Sequence, residues 1–238
     1  MQKLDSRLRT ALKYLRHGRT LADIGTDHAY LPIYAVENGY SERAIASDIN
    51  EGPTERARTN VALHSLTERI TVVRCDGLCG IEKKDPDDIA IFGMGGELIA
   101  RIIEDAPWVK SENKRLILQP MTNADTLRKY LCGNRFTIIE ETLSEQSGKL
   151  YVTLCCEWTG EEEPPLTEVE AILGRYNLKH NLFSPIFVKL TGKAVNSYRV
   201  RIEGYSRAGK TSESDEKILS ELEKISEMQN NEVKNENP

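Results

Sequence analysis

Between residues 20 and 158 the apolar residues fall in short, β-branched runs, and the stretches between most of them show helical spacing. Runs at 20–24, 44–48, 71–74, 89–92 and 115–118 predict five strands with helices between them, the alternation of a parallel sheet covered by helices. Two further runs, 136–143 and 150–158, are separated only by the turn-like Ser144-Glu145-Gln146-Ser147-Gly148. That is too short for a crossover helix, so they predict an antiparallel hairpin completing a seven-stranded α/β sheet.

The rhythm breaks at Glu161-Glu162-Glu163-Pro164-Pro165, a charged, proline-containing stretch without periodicity, which predicts a domain boundary after residue 160. Beyond it the period becomes helical. Val188, Thr191, Val195, Tyr198, Ile202 and Tyr205 recur at alternating spacings of 3 and 4, and after Gly209 a second series runs through Ile218, Leu222 and Ile225. These seams predict an antiparallel coiled-coil hairpin within a helical domain spanning 166–228. Residues 229–238, rich in Asn, Glu and Lys, read as a disordered tail.

Composition narrows the class. At 238 residues the chain is long enough for one full α/β domain and a smaller appendage. It has no run of about 18 apolar residues, so no membrane partner is expected. The first twenty residues lack the pattern of a secretory signal, and five cysteines without framework spacing agree with free thiols, so a reducing cytosol is expected. Net charge is −5, which by itself argues against a polyanionic partner. The charge is segregated, however. Residues 1–20 carry Lys3, Arg7, Arg9, Lys13, Arg16 and Arg19 against Asp5 alone, a net of +5; residues 175–210 carry eight basic residues against Glu203, a net of +7. Residues 211–238 carry three basic and eight acidic residues, so the hairpin has one positive leg and one negative leg. Local potential attracts a phosphate backbone, so the two basic blocks are candidate nucleic-acid surfaces; the plain alternative is a pair of solvated helix faces.

Candidate chemistry lies at the predicted strand ends. Asp23-Ile24-Gly25-Thr26-Asp27-His28-Ala29-Tyr30-Leu31-Pro32 reads as strand, tight glycine turn and helix, with Asp23 able to accept from an amino group and Gly25 admitting close approach of the backbone to a ligand. Asp48 ends the second strand, where an acid bonds ribose hydroxyls in nucleotide-binding folds, and Asp76-Gly77 follows the third, placed to contact an adenine edge. Three acids at successive strand ends, with no lysine among them, suit a cationic nucleoside without phosphate; S-adenosylmethionine fits. A dinucleotide fits poorly, because the second glycine of the G-x-G-x-x-G motif is replaced by Asp27. Each acid alone is also readable as a helix N-cap, a reading that weakens when all three are taken together. Gly93-Met94-Gly95-Gly96 follows the fourth strand and offers backbone groups rather than side chains to a target base, and Gln119-Pro120 follows the fifth with an amide able to bond a base edge.

Taken together, Asp-Ile-Gly-Thr-Asp-His-Ala-Tyr-Leu-Pro, the Gly-Met-Gly-Gly loop, Leu-Gln-Pro and the helical hairpin resemble the bacterial tRNA (adenine(22)-N1)-methyltransferase family over nearly the whole chain. The resemblance implies a Rossmann-like class I methyltransferase domain followed by a coiled-coil domain, and methyl transfer from S-adenosylmethionine to N1 of an adenosine in the tRNA D-arm. It implies cofactor contacts at Gly25, Asp27, His28, Asp48, Ile49, Asp76, Gly77 and Gly93, beside Asp23, and target-base handling at Met94, Gly95, Gly96 and Gln119. The residue after Gln119-Pro120 is Met121, whose role the resemblance does not explain.

Adenine N1 has an in-plane lone pair and no proton to lose before attack, so alignment is the chief need and no general base is obligatory. N1 lies on the Watson–Crick edge, so the adenine must be unpaired or extruded first. Arg7, Arg9, Lys189, Lys193, Arg199 and Arg201 are then the expected tRNA contacts. No metal is expected, since the histidines lack ligand spacing and Cys75 and Cys79 lack a second pair. A monomer is expected. An RNA-binding module with a vestigial pocket and a small-molecule methyltransferase are the alternatives.

Overall fold

The computed structural model describes residues 4–236, so Lys3 and the last two residues of the expected tail lie outside the described residues. The chain divides into two compact units, Met1–Pro164 and Pro165–Pro238.

In the first unit, helix α1 (Ser6–Leu12) is followed by β1 (Thr20–Ile24), α2 (Tyr30–Glu37), β2 (Arg43–Asp48), α3 (Glu51–Leu63), β3 (Ile70–Arg74), β4 (Asp88–Gly95), α4 (Gly96–Glu104), β5 (Arg115–Thr122), α5 (Ala124–Gly133), β6 (Phe136–Gln146) and β7 (Lys149–Trp158). The sheet order is β3-β2-β1-β4-β5-β7-β6, with β1 to β5 parallel and β7 antiparallel to both neighbours. The order reverses direction between β1 and β4, which opens a crevice at the carboxyl ends of those strands. Both faces of the sheet are covered, as continuous apolar strands require. Leu21, Ala44, Ala46, Ala90 and Ile117 face one buried cluster with Leu31, Val36 and Val61 of the flanking helices. Ala22, Ile24, Ile89, Ile91, Leu116 and Leu118 face the other with Ile99, Ile103, Leu127 and Leu131.

Two expectations for this unit need correction. No helix connects β3 to β4; residues 75–87 cross in turns, and buried Leu78 and Ile81 cover the sheet where a helix would lie. A cavity of about 530 Å³ remains at the amino ends of β1 and β2, lined by Arg43, Ile45, Thr71, Ile81 and Lys84 among others, on the rim opposite the crevice. The hairpin turn is also tighter than the turn-like sequence suggested. β6 runs on to Gln146, leaving only Ser147 (φ 50°) and Gly148 (φ 74°), a two-residue turn whose left-handed backbone matches the strand twist.

The N-terminal basic block is largely tied to the sheet. Arg16 donates from its backbone and from Nε to Asp88 at 2.7 Å each, Lys13 pairs with Glu140, and Arg19 with Asp87 at 3.5 Å. Thr10 meets Thr153 at 2.7 Å, so α1 docks on the β6–β7 ribbon through side chains that a sequence reading would leave in solvent.

The second unit contains α6 (Glu168–Leu173), α7 (Arg175–His180), α8 (Pro185–Arg207) and α9 (Glu213–Glu236). Thr167 and Glu170 form a capping box at the start of α6, and Ser184 with Pro185 opens α8. The contacts Arg201–Asp215, Arg199–Glu223 and Thr191–Gln229 run in opposite directions along α8 and α9, so the pair is antiparallel. Its buried seam is Phe187, Thr191, Val195 and Leu222; Val188, Tyr198 and Ile202 are half-buried and Tyr205 is exposed, so the seam is shifted by one residue at its start. The expected disordered tail is corrected through residue 236. α9 continues to Glu236 because Gln229 is buried, its Nε2 donating to the Leu182 carbonyl at 2.7 Å and to the Thr191 hydroxyl at 3.2 Å. The two bonds of that amide nitrogen hold a polar sequence in the helix that its composition alone does not support, although the buried Oε1 has no hydrogen-bond partner among the described residues.

Candidate active site

The crevice between β1 and β4 collects the residues singled out at the strand ends. Gly25 leaves β1 with φ +78°, a conformation that glycine adopts without a Cβ clash, and its N–H and that of Thr26 both donate to the Ser47 carbonyl at 2.8 Å. That double bond ties the turn after β1 to the end of β2. Thr26, which sequence reasoning passed over, is buried; its hydroxyl bonds the Asp23 carboxylate and accepts from the Ala29 N–H at 3.2 Å, closing the loop onto α2. The signal was present as a Thr three residues before Ala29, the spacing of a local bond from backbone N–H to side chain.

Asp23 is 6% exposed. Burial pushes its pKa from 3.8 up to about 6; the Thr26 hydrogen bond pulls it down and the neighbouring Asp48 pushes it up further. No cation pairs with Asp23 among the described residues, so this buried carboxylate beside another carboxylate could take a positively charged ligand group. Asp48 accepts from the Asn50 N–H at 2.7 Å, which fixes the turn after β2 and leaves Ile49 more than half exposed beside it. Arg74, also not foreseen, donates to the Ile49 carbonyl at 3.2 Å from the neighbouring strand. Asp76 is exposed on the turn after β3, and Gly77 (φ +53°) packs against Ile102.

Asp27 and His28 sit differently. Asp27 is 63% exposed and is held by Arg56 of α3 and by His28 Nε2 at 3.3 Å, while the His28 ring stacks on Tyr30 with centroids 4.9 Å apart. Asn60 donates to the His28 carbonyl at 3.0 Å. This loop is thus braced from α3.

The Gly-Met-Gly-Gly segment is not a loop: β4 continues through Gly95 with a register irregularity after Phe92, and α4 begins at Gly96. Its glycines serve different ends. Gly93 has φ +77° and donates its N–H to Gln119 Oε1 at 3.3 Å. Met94 packs its thioether methyl over Gly25. Gly96 is buried, and a Cβ there would stand 2.1 Å from the Asn123 carbonyl oxygen, so that glycine serves the packing of α4 on the turn after β5. Gln119 is fully buried; besides accepting from Gly93, it donates to the Pro120 carbonyl at 3.0 Å and to the Met121 sulfur at 3.6 Å. Its amide is therefore committed within the protein.

Among the expected nucleic-acid contacts, Arg9 lies near the Leu4 carbonyl at 3.4 Å, and Arg7 reaches the crevice, its Nη1 3.8 Å from the Met121 sulfur. In the helical unit Lys189, Lys193, Arg199 and Arg201 are all exposed, and Arg199 and Arg201 pair with Glu223 (2.7 Å) and Asp215 (3.1 Å) on the acidic leg. Among the described residues no group of three or more His, Cys, Asp or Glu side chains could hold a metal ion, and no helix is long and apolar enough to cross a membrane.

Sheet topology, switch-point crevice and carboxylate-lined rim define a Rossmann-like methyltransferase fold, and residues 4–154 match the family model described as a methyltransferase domain. The chain is 35% identical to the tRNA (adenine(22)-N(1))-methyltransferase of Bacillus subtilis over 220 residues, 91% of each chain. It superposes on the crystal structure of the B. subtilis M1A22 tRNA methyltransferase TrmK with a TM-score of 0.81 at 33% identity, covering 97% of this chain and 99% of that one. On the Streptococcus pneumoniae Sp1610 structure in complex with S-adenosyl-L-methionine the TM-score is 0.82 at 33% identity, covering 94% and 100%. This chain belongs to the tRNA (adenine(22)-N(1))-methyltransferase family.

Proposed function

We propose that this protein methylates N1 of adenine 22 in the D-arm of tRNA, with S-adenosylmethionine as donor, in the cytosol. The observation that carries the reading is Asp23, a buried carboxylate with no cationic partner among the described residues, at the β1–β4 crevice, in a chain related along nearly its whole length to a tRNA (adenine(22)-N(1))-methyltransferase.

The donor supplies a methyl group already activated on a sulfonium. The residues bind and orient. Asp23, ionised, takes the ligand's ammonium; Asp48 accepts from ribose hydroxyls; Ile49, Asp76 and Gly77 flank the adenine. Gly25 lets the backbone approach closely, and Asp27 and His28 line the entrance braced by Arg56. Gly93, Met94 and Gly95 border the space where the target base meets the methyl group. Because N1 attacks through a lone pair, no side chain need remove a proton before transfer, and the site's work is alignment. Lys189, Lys193, Arg199 and Arg201 are the tRNA contacts on the helical unit, Arg199 and Arg201 at the cost of their pairs with α9.

Incubating unmodified tRNA with the protein and methyl donor, followed by nuclease digestion and mass analysis, should yield 1-methyladenosine from position 22. Absence of that nucleoside, with tRNA and donor both bound, would overturn the assignment.

A further inference from the structure

Gln119 was the one side-chain candidate for reading the target base, and the structure withdraws it: the residue is fully buried and both ends of its amide are bonded inside the protein. Gly96 is buried as well. What Gln119 does is connect. It joins the Gly93 N–H to the Met121 sulfur, two residues further along β5 on the same side of the strand. Met121 is 44% exposed there. Its sulfur is approached from the other side by Arg7 Nη1 at 3.8 Å, and the same guanidinium nitrogen would lie 3.6 Å from a Cβ built on Gly93.

Arg7 differs from its neighbours in the basic block. Lys13 and Arg16 each meet an acidic side chain of the sheet, Arg19 meets Asp87 just before β4, and Arg9 turns to the Leu4 carbonyl. Arg7 is steadied by Asp5 at 3.4 Å and by the Tyr151 ring at 5.9 Å, yet directs Nη1 at a thioether, a weak acceptor that an anionic oxygen readily replaces. A thioether in turn offers a polarizable apolar surface on which an aromatic ring packs well.

We propose that Arg7 and Met121 together receive the extruded nucleotide, Met121 packing against the adenine and Arg7 bonding a phosphate of the same nucleotide, with Gln119 as the positioning residue that ties both to Gly93. This deepens the reading above and rests on it. Arg7 then acts on the reacting nucleotide, whereas a plain backbone anchor would act on tRNA affinity alone.

The test is single-turnover methylation of unmodified tRNA at saturating tRNA and donor, with tRNA and donor affinities measured separately. Arg7→Ala should lower the saturating rate by about 10²-fold, the scale of a misplaced reactant, while tRNA affinity changes by less than about threefold, since one contact among many is lost. Arg7→Lys should recover part of the rate. Met121→Ala should also slow transfer and Met121→Leu should restore it. Donor affinity should be unchanged throughout, which also reports that the variants are folded. The inference is overturned if Arg7→Ala weakens tRNA binding but leaves the saturating rate intact, if it weakens donor binding, or if the Ala and Leu variants of Met121 are equally slow. Failure of the unsubstituted protein to methylate tRNA would instead overturn the proposed function.

Discussion

The Met94 side chain of β4 lies directly on Gly25, the residue that follows β1: a Cβ built on Gly25 would stand 2.3 Å from the Met94 methyl carbon. Met94 can swing aside, but the φ of +78° at Gly25 remains, and a left-handed residue with a Cβ costs about 1–2 kcal/mol. Gly25→Ala should therefore leave a folded protein whose donor affinity falls by at least about tenfold, the equivalent of about 1.4 kcal/mol. Calorimetric titration reads this, and a variant that binds as tightly as the parent would remove Gly25 from the cofactor site.

Asp23 makes donor binding depend on pH. Its pKa of about 6 in the folded protein lies above the ordinary carboxylate value, so its contribution to the stability of the unliganded protein is full in acid and is lost as pH rises through about 6. A cationic ligand works the other way, favouring the ionised form. Donor affinity should thus level off near pH 7, where Asp23 is ionised and the ligand's amino group still charged, and fall towards tenfold per unit below about pH 6, as linkage to one proton requires. Asp23→Asn should bind weakly and without this slope; a slope that persists in the variant would assign the proton to another group.

Arg128 of α5 and Glu141 of β6 form a bidentate pair at 2.9 Å, with side chains 1% and 0% exposed. Removing one partner leaves a buried charge, so Glu141→Ala should lower unfolding free energy by about 3–5 kcal/mol in denaturant titration. The double variant Arg128→Met with Glu141→Leu should recover most of that loss, because the desolvation cost disappears with both charges.

On the helical unit, Lys189→Glu and Lys193→Glu should each weaken tRNA binding and reduce the slope of log affinity against log salt by about one. Glu223→Gln should act oppositely, because it releases Arg199 from its 2.7 Å pair. Binding measured across a salt series decides the matter; three unchanged slopes would exclude this surface from the complex.

The buried amide of Gln229 predicts that the C-terminal residues matter for stability. Gln229→Ala leaves the Leu182 carbonyl without its 2.7 Å donor and should cost the helical unit about 1–3 kcal/mol. Hydrogen exchange along α8 and α9 would show faster opening of that unit, and unchanged protection would mean the amide is dispensable.

Much of the α/β unit was legible because the period of its apolar residues changes with its elements. The five parallel strands, the closing hairpin and the acids at the strand ends all follow from local order, since a strand buried on both faces must be apolar throughout and the turn after it must be polar. The connection from β3 to β4 was not legible. Leu78 and Ile81 are two apolar residues in a turn-rich stretch, and only their burial against the sheet shows that they take the place of a helix. The α9 tail failed for a related reason: Gln229 reads as polar and therefore loose, and its partners at Thr191 and Leu182 lie about 40 residues away or more in the sequence.

The sequence by itself determined which residue types stand at the carboxyl rim of the sheet, because strand ends and tight glycine turns are set by neighbours in the chain. Only the tertiary structure decided which of those residues remain available to a ligand. Gln119 and Gly96 are taken up by packing, and Asp23 stays buried with no cationic partner among the described residues, while Arg7 arrives at Met121 from the far end of the unit's sequence. Availability depends on what approaches across the fold, and those approaches join residues whose separation in the chain carries no local signal.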